Sequence, residues 1–228
     1  MVWAIVIIVI SIVAGNLFWA SVKVDSGLYV RMLCRAKTIR RVVALTFDDG
    51  PHPERTPKVL DVLKTHGAQA TFFVIGKKAE AHPEIIRRII AEGHLIGNHT
   101  YSHSNRFPWM AESSMREDIH WCDVVLEKIT GRRPTMFRPP FGVTNPPLAK
   151  ALRWDFRTIV GWDIRSFDTI ERWSREKVFK RVCRRLRPGA VVLLHDDRAE
   201  SDTLLKMILN HLEQNDYKVE RFDKLFGL

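Results

Sequence analysis

The stretch TFDDGP, Thr46 to Pro51, sets two carboxylates side by side at the end of an apolar run. Adjacent Asp side chains repel, and one of them is driven to keep its proton unless a nearby cation takes up the charge. Further along, NHTYSH places His99 and His103 four positions apart. If the chain begins a helical turn there, both imidazoles lie on one side, and two imidazoles with a carboxylate make a divalent-metal site. The Asp pair supplies the third ligand and leaves a second carboxylate for other work, with Gly50 and Pro51 ending the strand so that both side chains reach its rim. The competing reading of the same residues is an Asp-Gly-Pro turn with Asp48 as a helix cap. Of the nine histidines, most read as surface or capping residues.

These residues need a scaffold that brings distant parts of the chain together. From Arg41 onward, short apolar runs rich in β-branched residues alternate with segments of helical periodicity. The runs are residues 42–47, 70–76, 94–99, 135–140, 157–164, 190–196 and 217–222, and the helical segments are 57–66, 83–92, 114–129, 146–153, 173–187 and 201–215. Ser114 with Glu117 reads as a capping box, Asn145 with Pro146 as cap and first helical position, and Gly67, Gly93 and Gly131 as stops. The alternation implies parallel strands with right-handed crossovers, and the apolar strands imply a sheet covered by helices. An open doubly wound sheet and a barrel both satisfy the pattern. In either, Asp48, Asp49, His99, Arg138, Asp163, His195 and Asp196 stand at or just past the C-terminal ends of strands. That rim is where active sites of parallel α/β folds assemble.

Five segments in this order, TFDDGP, NHTYSH, FRPPFG (Phe137 to Gly142), GWDIRSFD (Gly161 to Asp168) and LLHD (Leu193 to Asp196), resemble the five motifs of the polysaccharide deacetylases of the NodB-homology, carbohydrate esterase family 4 type. The resemblance implies an α/β fold, a distorted (β/α) barrel with about seven parallel strands rather than the full eight-stranded form. It implies a metal-dependent hydrolase of carbon–nitrogen bonds other than peptide bonds, removing N-acetyl groups from GlcNAc-containing polysaccharide such as peptidoglycan or a chitin-like polymer. Carried over position by position, Asp49, His99 and His103 match the metal ligands, Asp48 the catalytic base, Arg138 the arginine that holds that base, and His195 the catalytic acid.

The chemistry supports these roles. Amide hydrolysis needs a strong nucleophile, a stabilised oxyanion and a proton for the leaving amine. Three protein ligands leave an open metal position for water, whose pKa zinc lowers to roughly 7. Zn2+ is the expected ion, and the same donors accommodate Co2+, Ni2+, Fe2+ or Mn2+. The backbone N–H of Phe141 is a candidate oxyanion donor, and Trp162 and Leu193 are candidates for lining the substrate cleft. Asp168 is the expected partner of His195, with Asp163 and Asp196 as rivals. The chain departs from the family pattern at Phe141, usually Tyr, at Arg165, often acidic, and at Thr169, often Trp. The first leaves the backbone donor intact; the other two bear on Asp168. Other acetylated amides or esters, xylan-type esters included, are the alternative substrates, and a catalytically silent glycan-binding module is the alternative of another class.

Ahead of this lies Val2 to Val22, which carries no charged residue and is about as long as a helix needs to cross the hydrocarbon layer. Trp3 and Trp19 sit near its ends, as interfacial anchors do. A cleaved signal peptide is the competing reading, but no Lys or Arg precedes the apolar run and no small-x-small cleavage site stands out near Ala14 or Ala20. The expected organisation is a transmembrane anchor over residues 1–22, a basic linker over 23–40 and a deacetylase domain over 41–228. Lys23, Arg31, Arg35, Lys37, Arg40 and Arg41 follow the anchor against Asp25 alone, which taken by itself favours a cytoplasmic body. The expected substrate lies outside the cytoplasm, and domains of this length translocate regardless of flanking charge. The expectation is a single-pass protein of the cell membrane with a periplasmic or otherwise extracytoplasmic body.

The formal charge of +10 suits an acidic polymer or a membrane surface. No zinc-finger spacing, RNP motif or basic-aromatic alternation supports nucleic acid as a partner. The densest basic stretch, Arg172 to Arg187, keeps Val178, Phe179, Val182, Cys183 and Leu186 on one face and reads as a solvated helix. Cys34, Cys122 and Cys183 are odd in number and far apart, so buried thiols are expected rather than disulfides. The chain is expected to act as a monomer.

Overall fold

A computed structural model describes residues 2–228. In chain order the elements are α1 (Val2–Val22), β1 (Val42–Asp48), α2 (Arg55–Thr65), β2 (Thr71–Val74), α3 (Gly76–Ala81), α4 (Pro83–Ala91), β3 (Leu95–Asn98), α5 (Glu112–Thr130) and β4 (Met136–Phe137). There follow α6 (Pro146–Ala151), β5 (Thr158–Ile159), β6 (Ile164–Arg165), α7 (Arg175–Cys183), β7 (Ala190–His195), α8 (Ser201–Gln214), β8 (Lys218–Val219) and α9 (Phe222–Phe226). The strands form one sheet in the order β5-β4-β3-β2-β1-β7-β6, with β8 paired to β1, and every pairing between these strands is parallel. The sheet curls into the distorted barrel expected, with seven strands on its main path.

Alternation along the central strands sorts the core into an outer and an inner layer. Val43, Leu45 and Phe47 of β1, Phe72 and Val74 of β2, and Val192 and Leu194 of β7 pack with residues of the surrounding helices. Ala44, Phe73, Met136, Val160, Val191 and Phe222 fill the inside. Register then stacks the inward residues of β1 and β7 in pairs: Ala44 with Val191, Thr46 with Leu193, and Asp48 with His195. The barrel interior therefore runs from apolar at the amino ends of the strands to ionisable at their carboxyl ends. A third cluster, of Phe107, Met115, Ile119, Phe137, Leu148 and Leu152, joins α5 and α6 to the sheet.

Several boundaries differ from the sequence reading. The run 157–164 is two strands, β5 and β6, because these are the opposite edges of the sheet and residues 160–163 carry the chain across the opening between them. The run 217–222 keeps only Lys218–Val219 as strand, since Phe222 turns inward to plug the barrel and begins α9. Gly76 begins a short helix instead of ending a strand. α5 starts at Glu112 with Ala111 as an N-cap that makes no side-chain bond, so Ser114 lies within the first turn and no capping box forms. Asn145 does cap α6, its side chain accepting the Leu148 N–H at 2.9 Å. The three cysteines are free thiols, Cys122 buried and the others partly so.

The segment over 23–40 lies against the barrel. The Leu33 N–H donates to the Ile159 carbonyl at 2.9 Å, the Gly161 N–H to the Leu33 carbonyl at 3.0 Å, and the Ala36 N–H to the Gly189 carbonyl at 2.9 Å. Residues 33–36 thus bridge from the β5 edge to β7 across the opening in the ring. α1 is apolar along its length and, of its residues, only Ala20 is buried.

Candidate active site

Asp48 ends β1 inside the barrel, and its Oδ1 receives the Arg138 Nη1 at 2.5 Å. Arg138 follows β4 and is fully buried. Every nitrogen of its guanidinium is used: Nε donates to the Val160 carbonyl at 3.2 Å, Nη1 also to the Thr46 Oγ1 at 3.0 Å, and Nη2 to the Gly161 carbonyl at 2.8 Å. The guanidinium carbon lies 4.2 Å from the centre of the Phe73 ring and 5.7 Å from that of Trp162. A buried cation needs this many partners, and burial pulls the Arg138 pKa down even with Asp48 beside it. The carboxylate is thereby fixed through one oxygen and leaves Oδ2 facing the rim.

The next residue, Asp49, leaves the strand with a φ of 71°, in the left-handed region where a residue with a Cβ is strained. That turn carries its carboxylate to the mouth of the barrel, where Oδ1 lies 3.6 Å from the His99 Nε2 and 3.3 Å from the His103 Nε2. The two histidines do not sit on a helical turn. They converge because Thr100 and His103 also adopt positive φ, 65° and 46°, which folds the chain after β3 back on itself. Asn98 holds this loop, donating to the Ile119 carbonyl and the Asp123 carboxylate of α5 and accepting the Thr100 N–H at 2.7 Å.

One donor atom from each of Asp49, His99 and His103 falls within 4.8 Å of the others. The tautomer of His99 is fixed by its surroundings. Its Nδ1 lies 2.7 Å from the Arg138 carbonyl oxygen, which can only accept, so the proton is on Nδ1 and the Nε2 lone pair points at Asp49. An imidazole held this way through its far nitrogen is the usual outer support of a metal ligand. His103 is pushed down to about 4, by burial first and His99 second, and stays neutral. Burial would raise the Asp49 carboxyl, but His99, His103, His195 and Lys78 together hold it below the ordinary carboxylate range. Two imidazole nitrogens and a carboxylate oxygen converging this closely are the donor set a divalent cation takes.

His195 ends β7 opposite Asp48. Its Nδ1 lies 2.7 Å from Asp168 Oδ1 and its backbone N–H donates to Asp168 Oδ2 at 2.8 Å, while Ser166 Oγ donates to Oδ1 at 2.8 Å. Burial alone would lower the His195 pKa, but Asp168, with Asp48 and Asp49 beyond it, raises it to about 9. The imidazole is protonated at neutral pH and turns Nε2–H toward the rim, 3.9 Å from Asp49 Oδ2. The rival carboxylates have other partners. Asp163 pairs with Arg187, and Asp196 is buried against the Thr56 hydroxyl with its carboxyl pushed up to about 7 by that burial.

Phe141, at φ 61° in the turn after β4, sets its ring 5.0 Å from that of His103. Trp162 lies half-buried between Arg138 and Arg165, and Leu193 is buried one inward position below His195. All ten residues singled out from the sequence thus gather at one end of the barrel. Among the further residues that touch them, Lys78, Arg198 and Ser166 are not singled out by the sequence reading. Lys78 Nζ donates to the Asp49 carbonyl at 2.6 Å, Arg198 lies 3.6 Å from Asp49 Oδ2, and Ser166 steadies Asp168. Arg198 stands only three residues after His195, whereas nothing in the spacing points to Lys78. An open three-donor group with a free carboxylate on one side and a protonated imidazole on the other is suited to hydrolysis, in which one group takes a proton from water and the other returns one to the leaving group.

Residues 35–157 match the polysaccharide deacetylase family, a match that covers over half of the chain and stops before the fourth and fifth motif segments. Over 189 residues the chain is 34% identical to the peptidoglycan-N-acetylmuramic acid deacetylase PdaC of Bacillus subtilis, covering 82% of this chain and 39% of that protein. Over 157 residues it is 43% identical to a peptidoglycan-N-acetylglucosamine deacetylase of Bacillus cereus, covering 67% of this chain and 55% of that one. The chain therefore spans between two-fifths and rather more than half of the length of these curated relatives. The solved structure of peptidoglycan deacetylase PdaC from Bacillus subtilis matches with a TM-score of 0.76 at 32% identity, over 82% of this chain and 90% of that one.

Proposed function

This chain belongs to the polysaccharide deacetylase family, and from that footing we propose that it is a membrane-anchored, metal-dependent hydrolase that removes N-acetyl groups from GlcNAc-containing polysaccharide, peptidoglycan first and a chitin-like polymer second. Val2–Val22 is its single membrane span and the body lies outside the cytoplasm. The observation that carries the catalytic reading is the pair Asp48 and His195. They face each other across the register of β1 and β7, and each reaches the edge of the three-donor group, Asp48 Oδ2 at 3.7 Å from the His99 Nε2 and His195 Nε2 at 3.9 Å from Asp49 Oδ2. A site that only held the fold together would need neither.

Asp49, His99 and His103 would hold the ion, Zn2+ by preference, and it would supply a Lewis acid that makes bound water acidic near neutral pH. Asp48, held through Oδ1 by Arg138, takes the proton from the attacking water through Oδ2. The backbone N–H of Phe141 donates to the carbonyl oxygen as charge grows on it. His195 passes its Nε2 proton to the departing nitrogen, and Asp168 holds the ring through Nδ1 and balances the imidazolium. The carbon–oxygen bond forms, the carbon–nitrogen bond breaks, and acetate and a free amine leave. Trp162 and Leu193 shape the floor on which the acetyl group rests.

The test is acetate release from purified full-length protein on peptidoglycan, N-acetylated chitin oligomers and acetylated xylan, before and after chelation and with defined metals restored. Release from the N-acetylated substrates that stops with chelator and returns with metal supports the reading. Turnover of the ester alone contradicts the proposed specificity, and glycan binding without acetate under every metal selects a silent binding module.

A further inference from the structure

The anchor and the site meet at the same end of the barrel. Ala20 is the one residue of α1 that is buried, at 4% exposure, so the helix stands clear of the body and touches it through its last turn. There the Thr144 N–H donates to the Ser21 carbonyl at 3.0 Å and the Ser26 hydroxyl to the Ala20 carbonyl at 2.7 Å. Thr144 closes the turn that carries Phe141, whose ring lies against the metal-ligand candidate His103. The next residue, Asn145, donates through Nδ2 to the Pro108 carbonyl at 2.6 Å and so ties in a second turn, Phe107–Trp109. In that turn Phe107 is buried against Leu148 and Leu152, while Trp109 is 85% exposed beside the exposed Arg106.

The end of the helix has the chemistry of a membrane–water boundary. Lys23 Nζ lies 4.6 Å from the centre of the Trp19 ring, a cation and an indole at the level where both favour the head-group layer. From Val2 to Val22 the helix rises about 30 Å, the hydrocarbon thickness, with Trp3 and Trp19 near its two ends. With the boundary at Trp19 to Lys23, the hydrogen bond from Thr144 to Ser21 sets the turn beside His103 at the same depth.

We propose that the rim formed by residues 141–145 and 106–110 is a membrane-contact surface, with Trp109 seated in the head-group layer, so that the site opens at the bilayer surface and takes N-acetylated saccharide held there. The proposal rests on the reading of Val2–Val22 as a membrane span. An indole exposed to this degree on a turn whose preceding aromatic is anchored in the core suits insertion into that layer, and Arg106 beside it suits anionic head groups.

The fold supplies its own control. Trp154 is 76% exposed but lies at the opposite end of the barrel, in the turn that leads into β5. The full chain carrying Trp3→Phe and Trp19→Phe is placed in nanodiscs of phosphatidylcholine and phosphatidylglycerol, with and without lipid brominated high on the acyl chain. Brominated lipid is expected to quench tryptophan emission; a further Trp109→Phe substitution abolishes the quenched fraction and Trp154→Phe leaves it intact. Quenching that vanishes with Trp154→Phe instead, or no quenching in protein that co-elutes with the discs, overturns the proposal while leaving the anchor in place. Protein that does not co-elute with discs at all overturns the anchor reading and this proposal with it.

Discussion

His99 donates its Nδ1 proton to the backbone carbonyl of Arg138 at 2.7 Å, while the side chain of the same arginine grips Asp48 at 2.5 Å. One residue therefore orients a candidate ligand with its main chain and the candidate base with its side chain. The stretch FRPP does this because β4 is only two residues long and delivers Arg138 into the barrel next to β3.

Truncating one partner of the buried Asp48–Arg138 pair leaves the other charge without compensation, which costs roughly 3–5 kcal/mol. Arg138→Met is expected to lower the urea midpoint sharply and to abolish acetate release. Asp48→Asn combined with Arg138→Met is expected to recover much of the stability and none of the activity. Additive losses in the double-mutant cycle would mean that the pair is not coupled.

Asp168→Asn removes the carboxylate that holds the His195 ring through Nδ1 while keeping an oxygen for the backbone N–H. The expected result is a kcat lower by about 10²–10⁴-fold with little change in KM or metal content. Ser166→Ala, which loses one supporting hydrogen bond, is expected to cost much less. Equal kcat in Asp168→Asn and wild type would remove Asp168 from the mechanism.

Replacing His99 or His103 by Ala should abolish stoichiometric zinc binding measured by calorimetry, and Asn98→Ala should weaken it by about 10–100-fold, as loss of an outer support does. Undiminished binding in His103→Ala would place the ion elsewhere.

His94 gives stability a pH dependence away from the site. Its Nδ1 accepts the Ala70 N–H at 3.1 Å, so the proton of the neutral ring is on Nε2 and a second proton would break that bond. Burial, only partly offset by Glu92 and reinforced by Arg88 and Arg221, holds the folded pKa down to about 4 from an ordinary 6.5. The unfolded chain then takes up the proton first, so stability is lost as the pH falls from 6.5 toward 4, by roughly 3 kcal/mol in full. Urea midpoints at pH 7 and pH 5 should diverge in wild type and draw together in His94→Gln; parallel curves for the two would contradict this.

Much of this was legible in the sequence for a specific reason. Parallel strands end on one rim, so TFDDGP, FRPP and LLHD, each closing an apolar run, had to bring Asp48, Arg138 and His195 to the same place. What the residues alone left open depended on backbone torsion. His99 and His103 meet through positive φ at Thr100 and His103 rather than through a helical turn, and Asp168 turns back to His195 after Phe167 at φ 64°. Periodicity sees neither. α3, with the sequence GKKAEA, is too short to show an apolar stripe, and RTIVGWDI reads as one strand because it stays apolar while its chain crosses the open side of the barrel between β5 and β6.

The most direct test of the whole account is Asp48→Asn assayed for acetate release and for bound metal on the same preparation. Metal content equal to wild type with acetate release reduced by at least about 10²-fold is the expected result. Activity retained with metal intact would contradict the assignment of Asp48 as the base, and joint loss of metal and activity would make it a ligand instead.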